Sequence, residues 1–148
     1  MNRIAKGLLG PPGTGKSECL RWTSRFFEDV LGWTHGVQFQ KVAPQHTMAL
    51  LIGGNTVHSW GQVPINTSSM QDQGKKKAGQ DVDELFERTQ SLRWLLIDEI
   101  EALPAVVFGI LHGNLCRAMS RARATNMQAC NLVYSIIRMM GATYFHAY

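Results

Sequence analysis

Cysteine is scarce and scattered. The sequence holds three, Cys19, Cys116 and Cys130, with no CxxC pair among them. Neither a zinc site nor a disulfide framework is therefore expected, and reduced thiols of an intracellular protein are. Long apolar runs are lacking too. No stretch approaches the roughly 20 residues that a membrane-spanning helix needs. The opening MNRIAKGLLG runs too soon into a Gly-Pro turn to act as a secretory leader. The expectation is a soluble chain with no membrane partner. Acidic charge is the scarcer sign: 11 Asp and Glu against 15 Lys and Arg leave a formal net charge of +4. That suits a polyanionic partner without demanding one, because net charge speaks to steering and non-specific binding. Internal repeats are absent. The 148 residues allow one core and are too few for two full lobes. With 45% hydrophobic and 18% charged residues, the composition is that of a globular domain.

What is present is an alternation of strand and helix signals. Ile4 to Leu9 reads as a short buried strand, closed by the turn Gly10-Pro11-Pro12-Gly13. A helix begins near Gly15 or Lys16, with Cys19, Leu20, Phe26, Phe27, Val30 and Leu31 at helical spacing and Gly32 where a C-cap belongs. Val37 to Ala43 is a second strand stopped by Pro44. Ala49 to Ile52 reads as a helical turn ended by Gly53-Gly54. From Gln62 to Gly79 the residues are those of a surface loop. Asp81 to Gln90 forms a helix, Trp94 to Ile97 a central strand, and a further helix runs from Pro104 to Met119, since proline suits the first helical position. The fold class expected is α/β with a parallel sheet.

The strongest local signal is GPPGTGKS, which is Gly10, Pro11, Pro12, Gly13, Thr14, Gly15, Lys16 and Ser17. It fits G-x-x-x-x-G-K-[ST] in full, between a strand and a helix. Glycines let successive backbone N–H groups turn inward around phosphates, and the helix N-terminus adds partial positive charge. Lys16 reaches the β and γ phosphates of ATP, and the Ser17 hydroxyl ligates Mg²⁺. A plain Gly/Pro turn has no use for that Lys-Ser pair.

LLIDE, Leu95 to Glu99, supplies the acids such a site requires. An apolar run followed by Asp-Glu is on its own a common strand end. Behind a full P-loop, Asp98 reads as the magnesium holder, directly or through water, and Glu99 as the base that orients and deprotonates the attacking water. The catalytic candidates are Glu99 and Lys16. Glu101 reads as an exposed turn residue.

P-loop plus Asp-Glu means an ATPase of unspecified kind. The segment VAPQHTMALLIGGNTVHSW, Val42 to Trp60, is more particular. Ala43-Pro44, Ala49, Ile52-Gly53-Gly54, Thr56 and His58-Ser59-Trp60 stand in an order that resembles the Pif-family (petite-integration-frequency) DNA helicases. LRWLLIDEI, Leu92 to Ile100, and the helix with Phe108 and Leu111 are similar to the segments that follow there. The resemblance covers roughly Leu8 to Met119. It implies an incomplete RecA-like lobe over 1–128 and a divergent tail over 129–148, the latter able to add one strand or to derive from an altered reading frame. It also implies ATP-dependent 5′-to-3′ translocation on single-stranded and duplex DNA, with the family's roles in repair, recombination and telomere maintenance, in nucleus or mitochondrion. The second motor lobe and its arginine fingers are missing from this chain, so the isolated chain is not expected to unwind DNA.

The resemblance places Gln45, His46, Thr56, His58 and Ser59 toward DNA. Gln45-His46 stands where the family has Thr-Gly, and Glu101 where it has Ser. Core packing is the ordinary role of a His and a Trp in such a run; the resemblance favours DNA for His58 and leaves Trp60 open. The Gly-Gly pair would permit close approach of a phosphate backbone, and base stacking on an aromatic is worth roughly 1–3 kcal/mol. Lys75-Lys76-Lys77 reads as a solvated loop before it reads as a phosphate contact. Two other functions fit the P-loop: an AAA-type ATPase acting on protein, which the Ile52–Trp60 stretch disfavours, and a non-catalytic single-strand-binding fragment.

Overall fold

The computed structural model describes residue 11 and residues 13–65 and 78–124. The expected first strand, most of the polar loop and the tail from 129 lie outside the described residues. In chain order the elements are α1 (Lys16–Arg25), prolonged by a π-helical turn (Phe26–Val30), then β1 (Phe39–Ala43), α2 (His46–Leu51), β2 (Asn55–Thr56) and α3 (Val57–Gly61). There follow α4 (Ala78–Thr89), β3 (Trp94–Ile97), a 3-10 turn (Ile100–Ala102) and α5 (Ala105–Ala124). The strands form a parallel sheet in the order β2-β1-β3, giving the α/β class expected.

Side-chain alternation along the strands divides the core in two. Val42, Leu95 and Ile97 face one side and pack with Val57, Trp60, Leu85, Leu111 and Leu115 from α3, α4 and α5. Phe39 and Leu96 face the other side, with Leu20 and Phe27. Phe27 is the hub there, its ring 5.0 Å from Trp33, 5.2 Å from Phe39 and 5.3 Å from Trp94. Aromatic rings at such spacings add to the area they bury. The hydroxyls of Thr23 and Ser24 donate back to the carbonyls of Cys19 and Leu20 at 2.8 and 3.0 Å, a pattern that bends helices. The π turn follows directly, the Leu31 N–H reaching Phe26 O at 3.2 Å. Phe27 is thereby buried while Phe26 and Val30 stay exposed.

Helix α2 begins earlier than its sequence suggests and ends in a Schellman turn. Gly53 N–H donates to Leu50 O at 3.0 Å and Gly54 N–H to Ala49 O at 2.8 Å, with Gly53 at φ 62°. Gly54 is needed for a second reason: a Cβ there would lie 2.4 Å from the Lys41 carbonyl oxygen. The close approach that Gly53-Gly54 permits is thus made within the chain, between β2 and β1.

Both ends of α3 are capped. Thr56 Oγ1 accepts from Ser59 N–H at 3.1 Å, the bond expected of an N-cap threonine. At the other end the buried Asn114 of α5 donates to Gly61 O at 2.9 Å and Gln62 O at 3.1 Å, and Arg88 donates to Trp60 O at 3.3 Å. Trp60 is 5% exposed, which assigns it to the core. Pro104 precedes α5 as its cap, accepting from Phe108 N–H at 3.1 Å. Among the described residues no helix is long and apolar enough to cross a membrane.

Candidate functional site

Parallel strands end on a common edge, and the loops beyond them converge there. By pairing, Ala43 of β1 lies level with Thr56 of β2, and Val42 with Ile97 of β3. Asp98 comes next on β3, its N–H bonded to Val42 O at 2.9 Å. The segments after all three strands, which carry most of the candidate residues, therefore share one rim of the sheet.

The P-loop turn leads into α1. Gly13 and Gly15 adopt φ of 79° and 83°, left-handed conformations that side chains other than glycine take at a cost. A Cβ at either would meet nothing within 4 Å, so backbone conformation and not crowding explains these glycines. The Thr14 hydroxyl and the Lys16 ammonium both donate to Pro11 O, at 2.8 and 2.9 Å, drawing the loop around its own centre. No side chain caps the first turn of α1, whose N-cap is Gly15. An uncapped helix start attracts anions through its N–H groups. Gly10 and Pro12 lie outside the described residues.

Asp98 is 4% exposed and, like Leu96 two residues earlier, faces the α1 side of the sheet. Burial pushes its carboxyl above the usual carboxylate range, against the opposing pull of the Glu99 N–H and the Lys16 charge. The one hydrogen bond its carboxylate accepts among the described residues is from Glu99 N–H, at 3.1 Å. A desolvated carboxylate with spare acceptor sites beside a serine hydroxyl is a hard oxygen donor set. That chemistry fits magnesium, which takes one or two protein oxygens and completes its shell with phosphate and water. Glu99 follows at φ 50°, one of two non-glycine residues with positive φ among those described. Glu101 is exposed in the 3-10 turn, as expected.

Ser17, Asp98 and Glu99 line one cleft, about 380 Å³ in volume, between α1, β1 and α2. Leu20, Met48, Leu51 and Ile52 give it apolar walls, and Arg21, Arg25, Glu28 and Lys41 add charge. Sequence reasoning missed this second set. Burial holds the Lys41 ammonium below its ordinary range, with Glu28 acting the other way. Burial and the Lys41 charge likewise lower His35, again opposed by Glu28. The signal was available: FQKVA is a strand whose other members are buried, and a lysine inside it needs polar company.

The residues expected to face DNA divide into two groups on the same rim. Gln45 and His46 are exposed at the start of α2, where Gln45 caps the helix with its carbonyl. Thr56, His58 and Ser59 belong to α3 and its cap, so part of their hydrogen-bonding capacity serves the fold. His58 is half-buried with Nδ1 3.1 Å from Val63 O. A carbonyl only accepts, so Nδ1 carries the proton and Nε2 is the atom left to meet a ligand. Lys75, Lys76 and Lys77 lie outside the described residues.

The sequence matches no protein-family model and no curated protein. Solved structures do match it. Pif1 helicase from Candida albicans superposes with a TM-score of 0.62 at 21% identity, over 91% of this chain and 28% of that one. Bacteroides Pif1 bound to ssDNA superposes with a TM-score of 0.57 at 20% identity, over the same shares of the two chains. This chain thus spans little more than a quarter of the helicases it matches. Its α/β fold with a parallel three-stranded sheet is structurally similar to part of a Pif1 helicase motor domain.

Proposed function

We propose that this chain is the nucleotide-binding portion of an ATP-dependent DNA helicase of 5′-to-3′ polarity. The observation that carries the reading is the convergence of Ser17, Asp98 and Glu99 on one cleft, beside a loop whose glycines are held left-handed and whose lysine acts electrostatically on Asp98. Lys16 and the α1 N-terminus bind the phosphates of ATP, and Ser17 and Asp98 hold magnesium. When bound, that ion neutralises charge on the β and γ phosphates. Glu99 orients the attacking water and accepts its proton. Gln45, His46, Thr56, His58 and Ser59 contact the backbone of single-stranded DNA along the same rim. A trans arginine from a second lobe accelerates such reactions by roughly 10³–10⁵. Alone, the chain therefore binds Mg-ATP and turns it over at a minimal rate. On this reading the whole enzyme would serve DNA repair, recombination and telomere maintenance.

Lys16→Ala tests the reading. Lys16 reaches the loop carbonyl of Pro11 and takes no part in either apolar core. The variant should keep its fold by circular dichroism and lose affinity for an ATP analogue by about tenfold or more, the scale of one charge-assisted contact. Undiminished affinity in calorimetric titration would show that the loop is not the phosphate site.

A further inference from the structure

We propose that the cleft between α1, β1 and α2 binds inorganic phosphate, the second product of the hydrolysis, with Lys41 and Arg25 as its principal cations. The inference rests on the nucleotide reading and assigns a second ligand, with its own cations, to the same cleft. Water bound at Glu99 attacks the γ-phosphorus and gives its proton to the Glu99 carboxylate. As the new P–O bond forms, the bond from phosphorus to the β–γ bridging oxygen breaks, its electron pair leaving on ADP. The phosphate so formed carries the water's oxygen and lies on the Glu99 side. The cleft is on that side: Glu99 and Asp98 line it together with Ser17, Arg21, Arg25 and Lys41.

The cations differ in what already occupies them. Arg21 is paired with Glu18, and Arg25 lies 5.3 Å over the Trp22 ring, an interaction that leaves its N–H edge able to donate. Lys41 sits inside a strand whose neighbours Phe39, Val42 and Ala43 are wholly buried, with Glu28 as the carboxylate that offsets its desolvation. A half-buried ammonium beside apolar walls gains more from an added anion than an exposed one, because the surroundings screen the attraction less. At about 380 Å³ the cleft has room for a hydrated phosphate.

Equilibrium dialysis of radiolabelled inorganic phosphate against the full chain in saturating Mg-ADP tests this, with wild type, Lys41→Met, Lys41→Arg and Arg25→Gln. Phosphate should bind in addition to ADP. Lys41→Met should weaken phosphate binding by about tenfold or more while leaving ADP affinity unchanged, and Lys41→Arg should restore most of it. Arg25 lies on the exposed side of α1, so Arg25→Gln carries the test should Lys41→Met fail to fold. Phosphate that ADP displaces, or that binds Lys41→Met and Arg25→Gln as tightly as wild type, overturns the proposal. Failure of Mg-ADP itself to bind overturns the nucleotide reading and this one with it.

Discussion

Two adjacent residues at the end of β3 hold unfavourable states of different kinds. Glu99 sits in the left-handed region, which costs a side-chain-bearing residue about 1–2 kcal/mol. Glycine relieves that strain but loses about 0.4–1 kcal/mol through the freer unfolded chain. Glu99→Gly should therefore be as stable as wild type or up to about 1.5 kcal/mol more stable. Glu99→Val, β-branched in the same conformation, should lose about 1 kcal/mol or more in urea denaturation. Both should lose whatever hydrolysis the chain has. Asp98 is unfavourable through desolvation, and its folded-state pKa is raised. The folded form thus binds its proton more readily than the unfolded form. Stability from this group is fully present below the unfolded pKa and is lost as pH rises through the folded one. Asp98→Asn, which cannot ionise, should be the more stable protein at neutral pH. Its advantage should shrink on acidification into the carboxylate range, as thermal melts across that range would show. An advantage independent of pH would mean the charge is not the cause.

At the scale of elements, α3 depends on side chains from elsewhere more than on its own five residues. Asn114 serves two carbonyls at its C-terminal end, at 2.9 and 3.1 Å, while Thr56 serves one N–H at its start. Removing the buried amide strands buried acceptors, at about 1–3 kcal/mol. Removing the exposed cap costs about 1 kcal/mol. Chemical denaturation should therefore rank Asn114→Ala as more damaging than Thr56→Ala; the reverse order would mean that water satisfies the carbonyls. Such dependence also marks where sequence was legible. The apolar run Trp94–Ile97 and the lysine at the head of α1 announced their elements because each is driven by its own residues. Asn55–Thr56 carries no strand signal of its own and is a strand, since its pairing is made by β1 and allowed by Gly54. Helix α2 begins at His46 and was expected at Ala49, because Gln45 caps it with a carbonyl that no side-chain pattern encodes. Of the residues lining the cleft, Ser17, Asp98 and Glu99 were readable as candidates from motif spacing. Lys41, Arg25 and Glu28 were not, because three separate segments meet only once the sheet has formed.

For the whole molecule, the proposed DNA contacts at Gln45, His46, Thr56, His58 and Ser59 are to the backbone and not to the bases. Binding of poly-dT and of mixed-sequence single strands should be alike, and log affinity should fall linearly with log salt. His58→Ala should weaken it by about tenfold or less, as one contact among several. A triple alanine variant of Lys75, Lys76 and Lys77, compared by fluorescence anisotropy, separates the rim from the basic loop; loss in that variant alone would remove the rim from the binding surface. The topology that builds the rim also sets a schedule for folding. Strand β1 pairs with β3 along its length, Phe39 beside Trp94, though the two lie far apart in the chain, and with β2 through two residues only. Parallel pairing over such a separation is formed late and slowly. On a ribosome, β1 would emerge and wait without its main partner until the Asp-Glu strand followed it out. Among the described residues, Asp98 and Glu99 thus follow the last strand of the sheet to arrive, and the cleft they line takes shape only after that strand has paired.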